Sequence, residues 1–265
     1  MSHIRLFLFC SLLFICNCIR AQVKKIPSDD DKKALEGIVV EKYYVATSAD
    51  LKDTLGGVLA KGAVTYRIYA DLKPGCSLQA VYGDPHHLLQ IATTTEFFNN
   101  TNSGAKTGDQ IKKENINDGT TALDSWVTIG FAIHALYGVP LSEDKDGSII
   151  KKVSLNKADG FMAGTINYKV VYVGTDLHFF DDPKASSFTT DNASWAVFGG
   201  VKGVTESNKV LIAQLTTNGK LTFKLNVMVG TPNGMIHYVA KDPEGSEIQF
   251  DALSFSDEHQ TGNRK

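Results

Sequence analysis

The run VTYRIYADL, Val64–Leu72, limits what this chain can fold into more than any other segment. Val64, Tyr66, Ile68, Ala70 and Leu72 fall on one side of an extended backbone, and Thr65, Arg67, Tyr69 and Asp71 on the other. Successive side chains of a strand point to opposite faces, so a period of two predicts a strand with one buried face. Lys73, Pro74 and Gly75 follow as a turn, because proline presets φ and glycine tolerates positive φ. Leu78, Ala80 and Tyr82 resume the alternation, and a hairpin is expected.

A second unit covers 209–240. Val210 to Leu215 is apolar enough for a buried strand. Thr217, Asn218, Gly219 and Lys220 read as a tight hairpin turn, since Asn and Gly both accept positive φ. Leu221, Phe223, Leu225, Val227 and Val229 then alternate with Thr222, Lys224, Asn226 and Met228. Thr231, Pro232, Asn233 and Gly234 make another turn before 235–240 returns, which predicts a three-strand meander.

Further strands are expected at 89–94, 125–132, 166–172, 193–198 and 247–255. Past residue 21 no segment sustains helical periodicity. Strands separated by turn signals at this spacing predict an all-β fold, a mainly antiparallel β-sandwich over 37–255. It is expected as two packed halves, the first holding the Tyr66 hairpin and the second the Lys209 meander. The polar tracts 99–121, 141–164 and 180–192 are long for connections and are expected at the sheet ends, where sandwiches place binding residues.

The N-terminus has the parts of a secretory signal. One firm positive charge, Arg5, precedes the uncharged run LFLFCSLLFI at 6–15, and Ala21 ends the segment before a polar stretch. Ten apolar residues rise only about 15 Å as a helix, about half a bilayer core, so a spanning anchor is not expected. A lipoprotein signal needs a cysteine after a small residue, whereas Cys16 follows Ile15 and Cys18 follows Asn17. Cleavage after Ala21 would remove Cys10, Cys16 and Cys18 and leave Cys76 alone. An internal disulfide is then unavailable, and the apolar core must carry the fold. Residues 22–36 read as a flexible lead-in and 256–265 as a flexible tail. The formal net charge is −2, and loss of Arg5 and Arg20 makes it more negative. That gives no overall attraction to nucleic acid.

Candidate chemistry is sparse. Asp84, His86 and His87 form the densest set of metal-ligand types, but adjacent histidines on a strand point apart, and a polar turn after the strand ending near Tyr82 is the preferred reading. Ser142, Asp144, Asp146, Gly147 and Ser148 follow the alternation of a calcium loop. A structural calcium held by Asp144, Asp146 and Ser148 would pin that loop. The first position is a hydroxyl and the twelfth is Val153 instead of a bidentate glutamate, so an acidic solvated turn is the preferred reading. His178 with Asp181 and Asp182 is a loop cluster that needs no chemistry to explain it. Cys76 reads as a packed thiol. Trp126, Trp195, Tyr69 and Phe98 could form an aromatic platform for sugar or peptide, but in a sandwich such residues more often fill the core, which is the preferred reading. Neither a Gly-x-Ser-x-Gly nor a His-Glu-x-x-His pattern occurs.

YRIYADLKPGCSLQAVYGDPHHLLQIATTTEFF, LDSWVTIGFA and KVLIAQLTTNGKLTFKLNVMV, taken as a series, resemble an all-β segment of large secreted proteins from Bacteroidetes-like bacteria. That segment often stands ahead of a type IX secretion sorting domain, for which the residues after 255 leave no room. The resemblance implies export and a β fold, and no activity. The functional expectation is a secreted, periplasmic or cell-surface, non-catalytic module that binds a surface glycan or another envelope protein. A secreted hydrolase acting on polysaccharide or protein is the alternative.

Overall fold

The computed structural model describes residues 28–144, 158–165, 167–174 and 177–257. Its strands begin with β1 (Leu35–Val45), β2 (Val64–Leu72), β3 (Ser77–Gly83) and β4 (Leu89–Thr93). Short strands follow: β5 (Trp126–Val127), β6 (Phe131–Ile133), β7 (Leu136–Gly138), β8 (Phe161–Met162) and β9 (Val171–Val173). The rest are β10 (Ser187–Thr190), β11 (Ala193–Val201), β12 (Lys209–Thr217), β13 (Leu221–Lys224), β14 (Asn226–Thr231), β15 (Gly234–Val239), β16 (Ile248–Gln249) and β17 (Ser254–Ser256). The helical segments among the described residues are short 3-10 turns. The fold is all-β and mainly antiparallel, as the alternation requires.

One layer is the sheet β1-β2-β12-β5. The facing layer consists of the sheets β16-β15-β14-β3-β11-β9 and β10-β4-β13-β17. These two share their inner strands: β3 continues into β4, β10 into β11 and β13 into β14, with single breaks at 84–88, 191–192 and Leu225. Tyr66, Ile68, Ala70 and Leu72 of β2 meet Leu78, Val81, Trp195, Val227 and Val229 in one core. Full burial of each valine, leucine or isoleucine among them contributes about 1.5–3 kcal/mol.

The strand positions agree with the alternation, but the pairing does not. β2 pairs with β1 and β12, and β3 with β11 and β14, so the expected Tyr66 hairpin is an arch between layers. A strand has two edges, and both edges of β2 are taken. Asn208 secures the arch: its Nδ2 donates to the carbonyls of Lys73 and Cys76, and its own carbonyl accepts from the Leu72 N–H. The expected meander also opens. β12 pairs with β2 and β5 while β13 pairs with β4 and β17, and only β14–β15 closes as a tight hairpin, with Thr231 opposite Gly234. The two packed halves are therefore the two layers, and each takes strands from both sequence units.

β2 is also buried on both faces, not one. Thr65, Arg67 and Tyr69 are 1%, 0% and 0% exposed. The polar tract from 99 supplies the cover: Ile111, Ile116, Ala122 and Trp126 close over Tyr69 and Leu211 in a second apolar cluster. That tract is a lid on a sheet and not a sheet-end loop.

Order begins ahead of Gly37. Within the lead-in, Asp31 accepts from the Ser28 N–H and hydroxyl. The Tyr238 hydroxyl donates to the Asp31 carbonyl and accepts from the Ala34 and Leu35 N–H groups, which seats Ala34 and Leu35 in the core. The strands expected at 125–132 and 247–255 are each broken in two.

Candidate functional site

At one end of the sandwich the chain leaves β4 through Thr94, Thr95, Glu96, Phe97 and Phe98, and crosses the end of β12. The Phe98 N–H donates to the Thr216 carbonyl at 2.8 Å, and the Phe97 N–H to that of Ala185 at 2.8 Å. Phe97 is thereby buried and Phe98 left half-exposed. The hydroxyls of Thr93 and Thr95 lie 2.7 Å and 3.0 Å from that of Thr217. Thr95 Oγ1 donates to Asn218 Oδ1 at 2.8 Å, and Thr217 Oγ1 donates to the Glu96 carbonyl at 3.0 Å.

Gly219 makes this cluster fit. A Cβ there would lie 2.5 Å from Thr93 Oγ1, 2.6 Å from Thr95 Oγ1 and 2.7 Å from the Thr95 nitrogen. Neither Asn218 nor Gly219 adopts positive φ, so this pair does not serve the hairpin turn expected of Asn-Gly. It lets one backbone approach another.

The result is a groove of about 470 Å³ with Phe98 and Pro183 as apolar surfaces, Val58 on the opposite loop, and Thr95, Glu96, Asn99 and Asn218 as polar ones. A second hollow of about 250 Å³ adjoins it and shares Thr95, Thr217 and Asn218. Asn99 is buried, and its Nδ2 donates to the Phe179 and Asp182 carbonyls while its Oδ1 has no hydrogen-bond partner. An aromatic face beside fixed hydroxyl, amide and carboxylate groups suits a ligand with apolar faces and hydroxyl edges.

The other sequence candidates separate. Trp126, Trp195 and Tyr69 are core residues, and of the proposed aromatic platform only Phe98 reaches a groove. Asp144 Oδ2 accepts from the Asp159 and Gly160 N–H groups, both at 2.8 Å, and so ties the two ends of segment 145–157 together. Asp146 and Ser148 lie outside the described residues. Among the described residues no group of three or more metal-ligand side chains converges. Cys76 is buried, and burial raises its thiol pKa. His178 and Asp181 flank Lys106, at 3.2 Å and 2.9 Å.

Asp84 and His87 do come together, as a clamp. Asp84 Oδ1 accepts from the His86 and His87 N–H groups. The buried His87 ring has Nε2 3.0 Å from the Asp242 carbonyl and 3.3 Å from Glu247 Oε2. Its Nδ1 is 3.3 Å from Asp84 but out of line for a hydrogen bond, so that contact is electrostatic. Burial lowers the His87 pKa; the Asp242 carbonyl and the Glu247 and Asp84 carboxylates outweigh it and raise the net value above 6.5.

Sequence reasoning had no signal for the polar centre under the lid. Arg67 is fully buried, donating Nε to Gln214 Oε1 and Nη1 to the Gly160 carbonyl, both at 3.0 Å. Its guanidinium also faces the Phe161 ring at 5.0 Å. Burial pushes the Tyr43 phenol up to about 12, so it stays a neutral donor to the Asp159 carbonyl. The loop carboxylates Asp53, Asp124, Asp144 and Asp182 each accept backbone N–H groups, a loop-fixing task.

Comparison with protein-family models, with curated proteins and with solved structures finds no match to this chain.

Proposed function

We propose that this chain is an exported, non-catalytic binding module, and that its ligand is a hydroxyl-rich surface glycan held in the end groove. The observation that carries this is the Thr93–Thr95–Thr217–Asn218 chain beside the half-exposed Phe98 ring. Fixed hydroxyl and amide groups suit the edges of a sugar, and an aromatic ring suits its C–H face. Surface glycans lie outside the cytoplasm, in keeping with the signal-like N-terminus.

The test is a glycan array followed by calorimetry on the full chain. One glycan class should be retained, and both Phe98→Ala and the exposed Asn218→Ala should weaken it by about tenfold or more, about 1.4 kcal/mol. Retention of no glycan above a denatured control would sink the proposal. So would affinity unchanged in both variants.

A further inference from the structure

Most strands at the sheet margins are short. β5, β9, β10, β16 and β17 have two, three, four, two and three residues. β1 is the exception: it has 11 residues, lies at the end of the sheet β1-β2-β12-β5 and pairs only with β2 among the described residues. Short edge strands guard a sheet against joining another chain, and β1 lacks that guard. The direction of its free edge follows from β2. The Lys73 N–H donates to the Ala34 carbonyl, towards β1, whereas the Leu72 N–H turns the other way, to the Asn208 carbonyl. Successive residues of a strand alternate in direction, so Asp71, Tyr69 and Arg67 bond to β1 through their partners Gly37, Val39 and Glu41. The N–H and C=O groups of Ile38, Val40 and Lys42 then point away from the sheet, and among the described residues no hydrogen bond reaches them. Ile38 and Val40 are half-buried at the margin of the main core, between register shifts at Leu35/Gly37 and Lys42/Tyr44.

We propose that the free β1 edges of two copies pair antiparallel about a two-fold axis that sets Val39 opposite Val39, and so join two β1-β2-β12-β5 layers into one continuous sheet. The sequence EGIVVEK, Glu36–Lys42, is what singles out a second copy. Bonded pairs can form only between the outward-pointing residues, which restricts the axis to a residue position. Centred on Val39, the pairing sets Ile38 opposite Val40, Glu41 opposite Gly37, and the exposed Glu36 opposite the exposed Lys42 on both sides of the axis. Centred on Ile38 or Val40, it would set Lys42 against Ala34 or Ile38; centred on Glu41, it would oppose that carboxylate with its own copy. Opposite charges across a strand pair stabilise it and like charges destabilise it, so the Val39 register is the self-complementary one. Each contact then occurs twice, as an isologous interface requires. Ile38 against Val40 also covers the surface that both leave open at the core margin.

The experiment is sedimentation equilibrium of the full chain from micromolar to millimolar concentration, with circular dichroism as the check on folding. Wild type should pass from monomer to dimer across that range. Glu36→Lys and, separately, Lys42→Glu should each raise the dimer dissociation constant by about tenfold or more, because each sets like charges opposite one another. The double variant carrying both Glu36→Lys and Lys42→Glu should restore the dimer, since the pairs re-form with their signs exchanged. Both side chains are exposed, so these variants should fold. Val40→Pro should also abolish the dimer: proline removes an N–H that points outward and leaves the bonds to β2 in place. A monomer at every concentration overturns the proposal and leaves this edge to a different strand. So does a dimer indifferent to the single reversals, or one that the double exchange fails to restore.

Discussion

The guanidinium of Arg67 lies 3.6 Å above the ring of Tyr43, on a strand whose Thr65, Arg67 and Tyr69 are all covered from water. β1 supplies the ring and β2 the cation, while Gly160 and Gln214 supply the acceptors. A planar, weakly hydrated cation suits such a place; a lysine ammonium needs a fuller set of acceptors. Arg67→Lys should therefore destabilise the fold by about 3 kcal/mol, since the stack and one donor direction are both lost. Urea denaturation measures it. A loss under about 1 kcal/mol would show that the stack contributes little.

His87 gives stability a pH dependence of known sign. Its folded-state pKa lies above the ordinary 6.5, so the proton favours the folded chain. The contribution is full below about pH 6.5 and is lost as pH rises through the higher folded value. Wild type minus His87→Asn should therefore show a stability difference that shrinks with rising pH across that window. A difference that grows would reverse the assignment.

Asp144→Ala should lower the melting temperature, because two backbone N–H groups at Asp159 and Gly160 lose their acceptor. Hydrogen bonds to charged groups are worth about 1.5–3 kcal/mol each. The loss should be equal with millimolar calcium and with chelator. A loss that appears only with calcium would restore the metal loop of Asp144, Asp146 and Ser148.

Much of the architecture is written in local sequence. Period-two alternation at Val64–Leu72 and along 221–229 places strands, and Gly75, with φ of 90°, shapes the turn after β2. What alternation cannot state is which strand lies alongside. Asn218-Gly219 has the residues of a hairpin turn, yet its backbone serves a close approach to Thr93 and Thr95. Phe98 was legible as a candidate aromatic; its groove was not, because the hydroxyls beside it come from segments far apart in the chain.

By itself the sequence determined strand positions, the all-β class and the turn after β2, because side-chain alternation and backbone φ preferences act over a few residues. Only the tertiary structure decided the pairing, the burial of Arg67 and the exposure of Phe198. Arg67 reads as a solvent-facing residue until Ile111, Ile116 and Trp126 close over its sheet. Phe198 falls on the outer face of β11 with Ser194 and Ala196, and its 93% exposure follows from the lack of any described segment packed over it. Burial depends on what covers a face, and the cover here comes from elsewhere in the chain.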